Sequence, residues 1–151
     1  MSPQRSVTTY AQEDRETLVF GRPIRWGEET RSQYARIRPT GPTDTDSISV
    51  ATLDTLLEHG YIDPHERQNN SPTVAQFYNR GSYYDQADNV TVAYRGYMIG
   101  PERPDKRISI TEIRVQGDTL IPDYIVEDFE ATFDTADTRH IAAGLLTAWW
   151  D

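Results

Sequence analysis

The alternation of apolar and polar residues is most regular over 90–99 and 107–116, and the rest of the chain is organised around these two runs. Val90, Val92 and Tyr94 alternate with Thr91, Ala93 and Arg95, the period of two expected of a half-buried strand. In the second run Ile108 and Ile110 share one parity, and the apolar positions then jump to Ile113 and Val115. A strand cannot change its buried face by sliding, so the jump predicts a β-bulge near Thr111 and Glu112. Joined through Gly-Pro-Glu-Arg-Pro-Asp, the runs predict an antiparallel hairpin at the centre of a sheet.

Upstream, Thr17-Leu-Val-Phe and Ile24-Arg-Trp read as short strands, and Gln33-Tyr-Ala-Arg-Ile-Arg as a third. Residues 40–46 are dense in turn formers and read as a loop. The period then becomes helical. Ser49 is a candidate cap, Val50, Leu53, Leu56 and Leu57 follow at helical spacing, and Gly60 stops the run. Asp63-Pro64 predicts a further turn of helix. Ser71-Pro72 predicts another helix, with Val74, Phe77 and Tyr78 on its apolar face and Gly81 at its end. Residues 49–81 are thus a helical insertion between strands.

Past Gly117-Asp118 the chain predicts a short strand over 119–121. A helix then opens at Pro122-Asp123, with Ile125, Val126, Phe129 and Phe133 on one face. Residues 138–150 fit a helix or a hairpin. Gly144 would cost about 1 kcal/mol inside a helix, which favours the hairpin. The expectation is a single α+β domain over 17–151, an antiparallel sheet of about five strands covered on one face by three helices. Residues 1–16, polar and aperiodic, are expected to be a disordered N-terminal segment.

Composition narrows the function. The 151 residues include no cysteine, which removes thiol chemistry and disulfides. No apolar stretch reaches the ~20 residues of a membrane helix, and the N-terminus lacks the apolar core of a signal peptide. A cytoplasmic protein is expected. The chain carries 24 acidic residues against 14 arginines and one lysine, Lys106, for a net charge of −9. Such an acidic, lysine-poor chain suits a salt-accumulating cell, where screening weakens acidic repulsion. The charge is uneven. Residues 15–38 hold six arginines against three glutamates, net +3, whereas 118–151 hold eight acids against Arg139, net −7. Pairing of the basic segments with the acidic tail is expected.

Three stretches carry a resemblance: Ile62-Asp-Pro-His-Glu-Arg-Gln-Asn-Asn-Ser-Pro-Thr, Tyr94-Arg-Gly-Tyr-Met-Ile-Gly-Pro-Glu-Arg-Pro-Asp-Lys-Arg-Ile-Ser-Ile and Ala148-Trp-Trp-Asp. With them, most of residues 48–151 resembles a family of small uncharacterised haloarchaeal proteins. The resemblance implies a halophilic source and a cytoplasmic compartment, and transfers no activity or site residue.

The motifs for dinucleotides, for phosphate-binding loops, for serine nucleophile elbows and for cysteine zinc sites are absent, and nothing calls for a cofactor. His59, Asp63 and His65, with Glu66, lie close enough in sequence to be weighed as metal ligands. A solvated helix end explains them as well. The acids of 123–134 fall opposite an apolar stripe and read as a solvated face. Tyr94, Arg95, Tyr97, Arg103 and Arg107 form an aromatic and basic group on the hairpin. Arg95-Gly96-Tyr97 echoes the strand motif in which aromatic residues stack on RNA bases. Trp149-Trp150 must put one indole outward on a strand, and Trp150 is taken as a contact for a protein partner or a homodimer. The expectation is a non-enzymatic binding protein, with a nucleic-acid module as the alternative. A pocket holding His140 beside a buried carboxylate would point to an enzyme instead.

Overall fold

The computed structural model describes residues 7–30, 32–38 and 46–151, and the backbone alone for 7–10. The loop expected over 40–46 lies, except for Asp46, outside the described residues.

The predicted hairpin is present. Strands β3 (Val90–Ile99) and β4 (Arg107–Gly117) pair antiparallel through the centre of a six-stranded sheet. The register slips where Arg95 faces Glu112 and Gly96 faces Ile110, leaving Thr111 as the extra residue of the predicted bulge. The bulge keeps both apolar runs of β4 on one face, with Ile108, Ile110, Ile113 and Val115 all buried. Strand β1 (Tyr34–Arg36) pairs with β3, as does the two-residue β2 (Ile48–Ser49) further along. The C-terminal hairpin is also as expected: β6 (Leu145–Trp149) pairs with β4, and β5 (Thr138–Ile141) forms the edge.

Among the described residues four helices accompany the sheet, one more than expected. Ser49 accepts a hydrogen bond from the Thr52 N–H and caps α2 (Val50–Glu58). Thr73 and Gln76 form a capping box on α3 (Val74–Asp85), so Pro72 precedes the cap. α3 runs past Gly81, which faces the Tyr94 side chain at a point where a Cβ would overlap the tyrosine hydroxyl. Tyr94 in turn donates to the Phe77 carbonyl at 2.7 Å. α4 (Asp123–Thr132) closes over α3, with Phe129 near Tyr84 and Phe133 stacked 6.0 Å from Phe77.

The expectations for the N-terminal part do not hold where it is described. Residues 7–20 are not disordered followed by a strand; they form helix α1 (Val7–Phe20). Tertiary contacts set this helix. Glu16 is buried and accepts from the Ile24 N–H at 2.6 Å, and Asp14 accepts from the Tyr61 hydroxyl at 2.7 Å. Residues 24–26 supply only an isolated bridge from Trp26 to Thr30. Asp63-Pro64 makes a turn rather than a helix, and 119–121 is a loop held by the Ile121 N–H on the Ala143 carbonyl.

The core lies between these helices and the sheet face bearing Val92, Tyr94, Met98, Leu146 and Ala148. The other face is polar and half-open. One position shows how tightly the central pair is set. A Cβ on Gly96 would overlap the Ser109 carbonyl oxygen and come within 2.9 Å of its carbon. Backbone cannot swing aside as a side chain can. Gly96→Ala is expected to cost about 2–3 kcal/mol, seen as a fall in Tm of about 5–10 °C. An unchanged Tm would mean that β4 shifts freely at the bulge.

Candidate functional site

Strand pairing decides which side chains meet on the half-open face. Arg95 of β3 stands opposite Glu112 of β4, and Glu112 opposite Trp149 of β6, which makes one row across three strands. The next row brings Arg36 of β1 beside Tyr97 of β3. Between them lies a groove of about 320 Å³, lined by Tyr34, Arg36, Arg95, Tyr97 and Trp149 together with the acids Asp46, Glu112 and Asp151. Tyr34 and Trp149 present the exposed rings, at 40% and 38% exposure.

The groove has a supporting layer. The Tyr97 ring lies 5.1 Å from that of Tyr34, and the Arg107 guanidinium sits 5.7 Å from the Tyr97 ring centroid. The Tyr97 hydroxyl donates to Gln68 at 2.6 Å and accepts from Arg107 at 3.1 Å. Arg107 also pairs with Glu66, which accepts from the buried Ser109 hydroxyl. Burial pushes the Glu66 carboxyl above its ordinary value, opposed by the Ser109 hydrogen bond and the Arg107 charge. Tyr97 is therefore held from behind and backs Tyr34.

The floor is electrostatically unfinished. Arg95 Nε lies 3.3 Å from Glu112 Oε2, close enough for an ion pair. That oxygen is nonetheless buried without a hydrogen-bond partner, so the contact is Coulombic and leaves an acceptor free. Among the described residues, the Arg36 guanidinium has no hydrogen-bond or ion-pair partner. Ring faces, the Arg36 and Arg95 guanidiniums and the carboxylates of Asp46, Glu112 and Asp151 are the groups the groove offers a ligand.

The structure divides the residues that the sequence singled out. Arg95 and Tyr97 reach the groove, and Arg107 supports it from behind. Arg103 does not: it is clamped on Asp105 in the β3–β4 loop and donates to the Ser32 carbonyl. Tyr94 is on the opposite, buried face because its parity is that of Val92. Trp150 is likewise no surface contact. It is 1% exposed, with its ring 5.3 Å from Phe77, and Trp149 is the outward indole. Tyr34, Arg36 and Glu112 were missed, and of the tryptophan pair Trp150 was taken as the contact where Trp149 is the exposed one. The alternation of Gln33-Tyr-Ala-Arg-Ile-Arg put Tyr34 and Arg36 on one face, but nothing local placed that face beside Tyr97.

The weighed metal ligands do not converge. His59 stacks on Tyr61, and Asp63 accepts from the His65 N–H. Among the described residues, no group of three or more histidine or acidic side chains is placed to hold a metal ion. His140 is exposed on β5. A second hollow, about 440 Å³, lies between α3 and α4 near Asn79 and Arg80. It is larger, but its lining has no aromatic ring, and Arg80 is held on Asp128 at 3.2 Å. Among the described residues, no helix is long and apolar enough to cross a membrane. No family model, curated protein or solved structure matches the chain.

Proposed function

We propose that this is a small cytoplasmic, non-enzymatic binding protein of a halophile, and that it takes single-stranded nucleic acid on the half-open sheet face. The observation that carries the reading is the groove in which the exposed rings of Tyr34 and Trp149 flank Arg36 and Arg95. Rings on a sheet stack on bases whatever their sequence, and guanidiniums meet the phosphates between them. Stacking keeps its strength in concentrated salt, where phosphate attraction fades. The acidic total is therefore compatible with a nucleic-acid partner.

The test is fluorescence anisotropy with a labelled uridine-rich RNA of about ten nucleotides in molar KCl. Stacking contributes about 1–3 kcal/mol per base. The double variant Tyr34→Ala, Trp149→Ala is expected to weaken binding at least tenfold with little change in Tm. Wild-type protein that leaves the RNA unbound would remove the nucleic-acid reading.

One observation favours a second reading, a protein partner or homodimer. All four residues of β5 are exposed and the strand forms an edge of the sheet, one strand from Trp149. An open edge accepts a strand from another chain. Sedimentation of the protein alone, and with Trp149→Ala, separates this reading from the first.

A further inference from the structure

We propose that the hollow between α3 and α4 is a carbohydrate site, which takes a neutral oligosaccharide on side-chain amides and two tyrosine rings. It shares no lining residue with the groove on the sheet, and the inference does not rest on the nucleic-acid reading.

At about 440 Å³ the hollow falls within the range of about 300–1,000 Å³ usual for small-ligand pockets, but it lacks their apolar lining. Asn70, Ser71 and Pro72 come from the loop before α3, and Gln76, Asn79 and Arg80 from α3 itself. Thr132 and Thr135 come from the end of α4 and the turn after it. Two of these hydroxyls are engaged in the fold. The Ser71 hydroxyl donates to the Pro72 carbonyl and accepts from the Gln68 N–H. The Thr135 hydroxyl donates to the Asn70 carbonyl and accepts from the Trp150 indole. The amides remain available. Asn70 and Asn79 are exposed, and among the described residues their side chains have no hydrogen-bond partner. Gln76 is fixed by its capping box, in which Oε1 accepts from the Thr73 N–H and the amine is left for a ligand. Among the described residues, Arg80 is the one charged side chain of the lining, and Asp128 neutralises it from 3.2 Å.

These groups select a class of ligand. An anion would need a free cation, and an apolar ligand would need apolar walls. A carboxamide holds two donors and an acceptor in one plane. A sugar hydroxyl also donates and accepts, so amides and hydroxyls pair with no net charge on either side. Aromatic surface adjoins the amides. Tyr83 lies three residues beyond Arg80 and four beyond Asn79 on α3, and so shares their side of the helix. Tyr124 lies four residues before Asp128 on α4. The two rings meet 6.2 Å apart and are 45% and 51% exposed, which carries the furrow on past the Arg80–Asp128 pair. The negative face of an aromatic ring attracts the C–H bonds on the face of a sugar, whose hydroxyls lie around its rim. Amides at one end and rings at the other suit a chain of sugars rather than a single one. Neither contact depends on net charge, so both persist in concentrated salt.

The experiment records 1H–15N spectra of the full chain in molar KCl with maltohexaose, cellohexaose or chitohexaose, and with glucose. At least one hexasaccharide is expected to shift the side-chain amide signals of Gln76 and Asn79. Asn79→Ala is expected to weaken that binding about fivefold, the loss of one neutral hydrogen bond. Tyr83→Ala with Tyr124→Ala is expected to weaken it about tenfold. Glucose that binds as tightly as the hexasaccharide would overturn the chain and leave a site for a free sugar. Shifts confined to Tyr34, Arg36 and Trp149 would place the sugar in the sheet groove and overturn the assignment, as would the absence of shifts with all four sugars. The wild-type spectra locate the site even if a variant folds poorly.

Discussion

Trp150→Ala is expected to lower stability by about 3–5 kcal/mol, whereas Trp149→Ala, one residue away, is expected to cost about 1 kcal/mol or less. The indole of Trp150 fills the junction between α3, α4 and the sheet, 5.3 Å from the Phe77 ring and 5.8 Å from that of Phe133. Its Nε1–H donates to Thr135 at 3.2 Å, and its backbone N–H donates to the Thr111 carbonyl at the bulge. Truncating a fully buried aromatic residue to alanine loses its transfer free energy and leaves a cavity, together about 3–5 kcal/mol. In a chain of this length that is a fall in Tm of about 10 °C or more. Trp149 is 38% exposed, and its removal leaves no closed cavity. Thermal melts followed by circular dichroism decide it. Equal losses from the two variants would mean that the indoles share the core, and the groove would lose its exposed ring.

The two tryptophans also show what a sequence carries and what it withholds. Neighbours in a strand point to opposite faces, so that one indole faces outward was legible. Which one was also within reach. Leu146, Ala148 and Trp150 share a parity, and the other parity includes the polar Thr147, the mark of the open face. The bulge was legible for the same reason, because Ile110 and Ile113 cannot share a face without an extra residue between them. The helix over 50–58 carried its own cap and apolar stripe. Helix α1 has no such apolar stripe. Its apolar residues crowd into Leu18-Val-Phe, which reads as a strand, and Gln12, Asp14 and Glu16 find partners on Met98, Tyr61 and Ile24. The groove was only half legible. Arg95 and Tyr97 are local to the hairpin, but Tyr34 and Arg36 join them through pairing across some sixty residues of chain, which no local period encodes.

The protein is expected to unfold as KCl falls below about 1 M, and its Tm to climb with salt up to about that concentration. The reason lies in where the charges end up. Residues 118–151 carry a net charge of −7, with Asp123, Glu127, Asp128 and Glu130 crowded on α4 and Asp118, Asp134, Asp137 and Asp151 in the segments that flank α4 and the β5–β6 hairpin. The arginines meet acids close to them in the fold instead: Arg22 with Glu29, Arg95 with Glu112, Arg103 with Asp105, Arg107 with Glu66. From α3, Arg80 reaches Asp128 of α4. The Arg22 pair, with the Arg25 N–H, holds the Glu29 carboxyl at about 2, but it is exposed and its worth is small. Salt weakens such pairs and the repulsion within the acidic end alike, so the sign depends on which is larger. Exposed pairs contribute about 0–1 kcal/mol each and act over a contact distance. Repulsion within the acidic end acts over the whole Debye length, about 10 Å at 0.1 M against about 3 Å at 1 M. Repulsion therefore has more to lose on screening, and added salt stabilises. A titration in KCl and in sodium sulfate at matched ionic strength tests the cause. Coincident curves would assign the effect to screening, and a large advantage for sulfate would assign it to strengthened apolar burial. A fold and Tm unchanged in dilute buffer would refute the halophilic reading altogether.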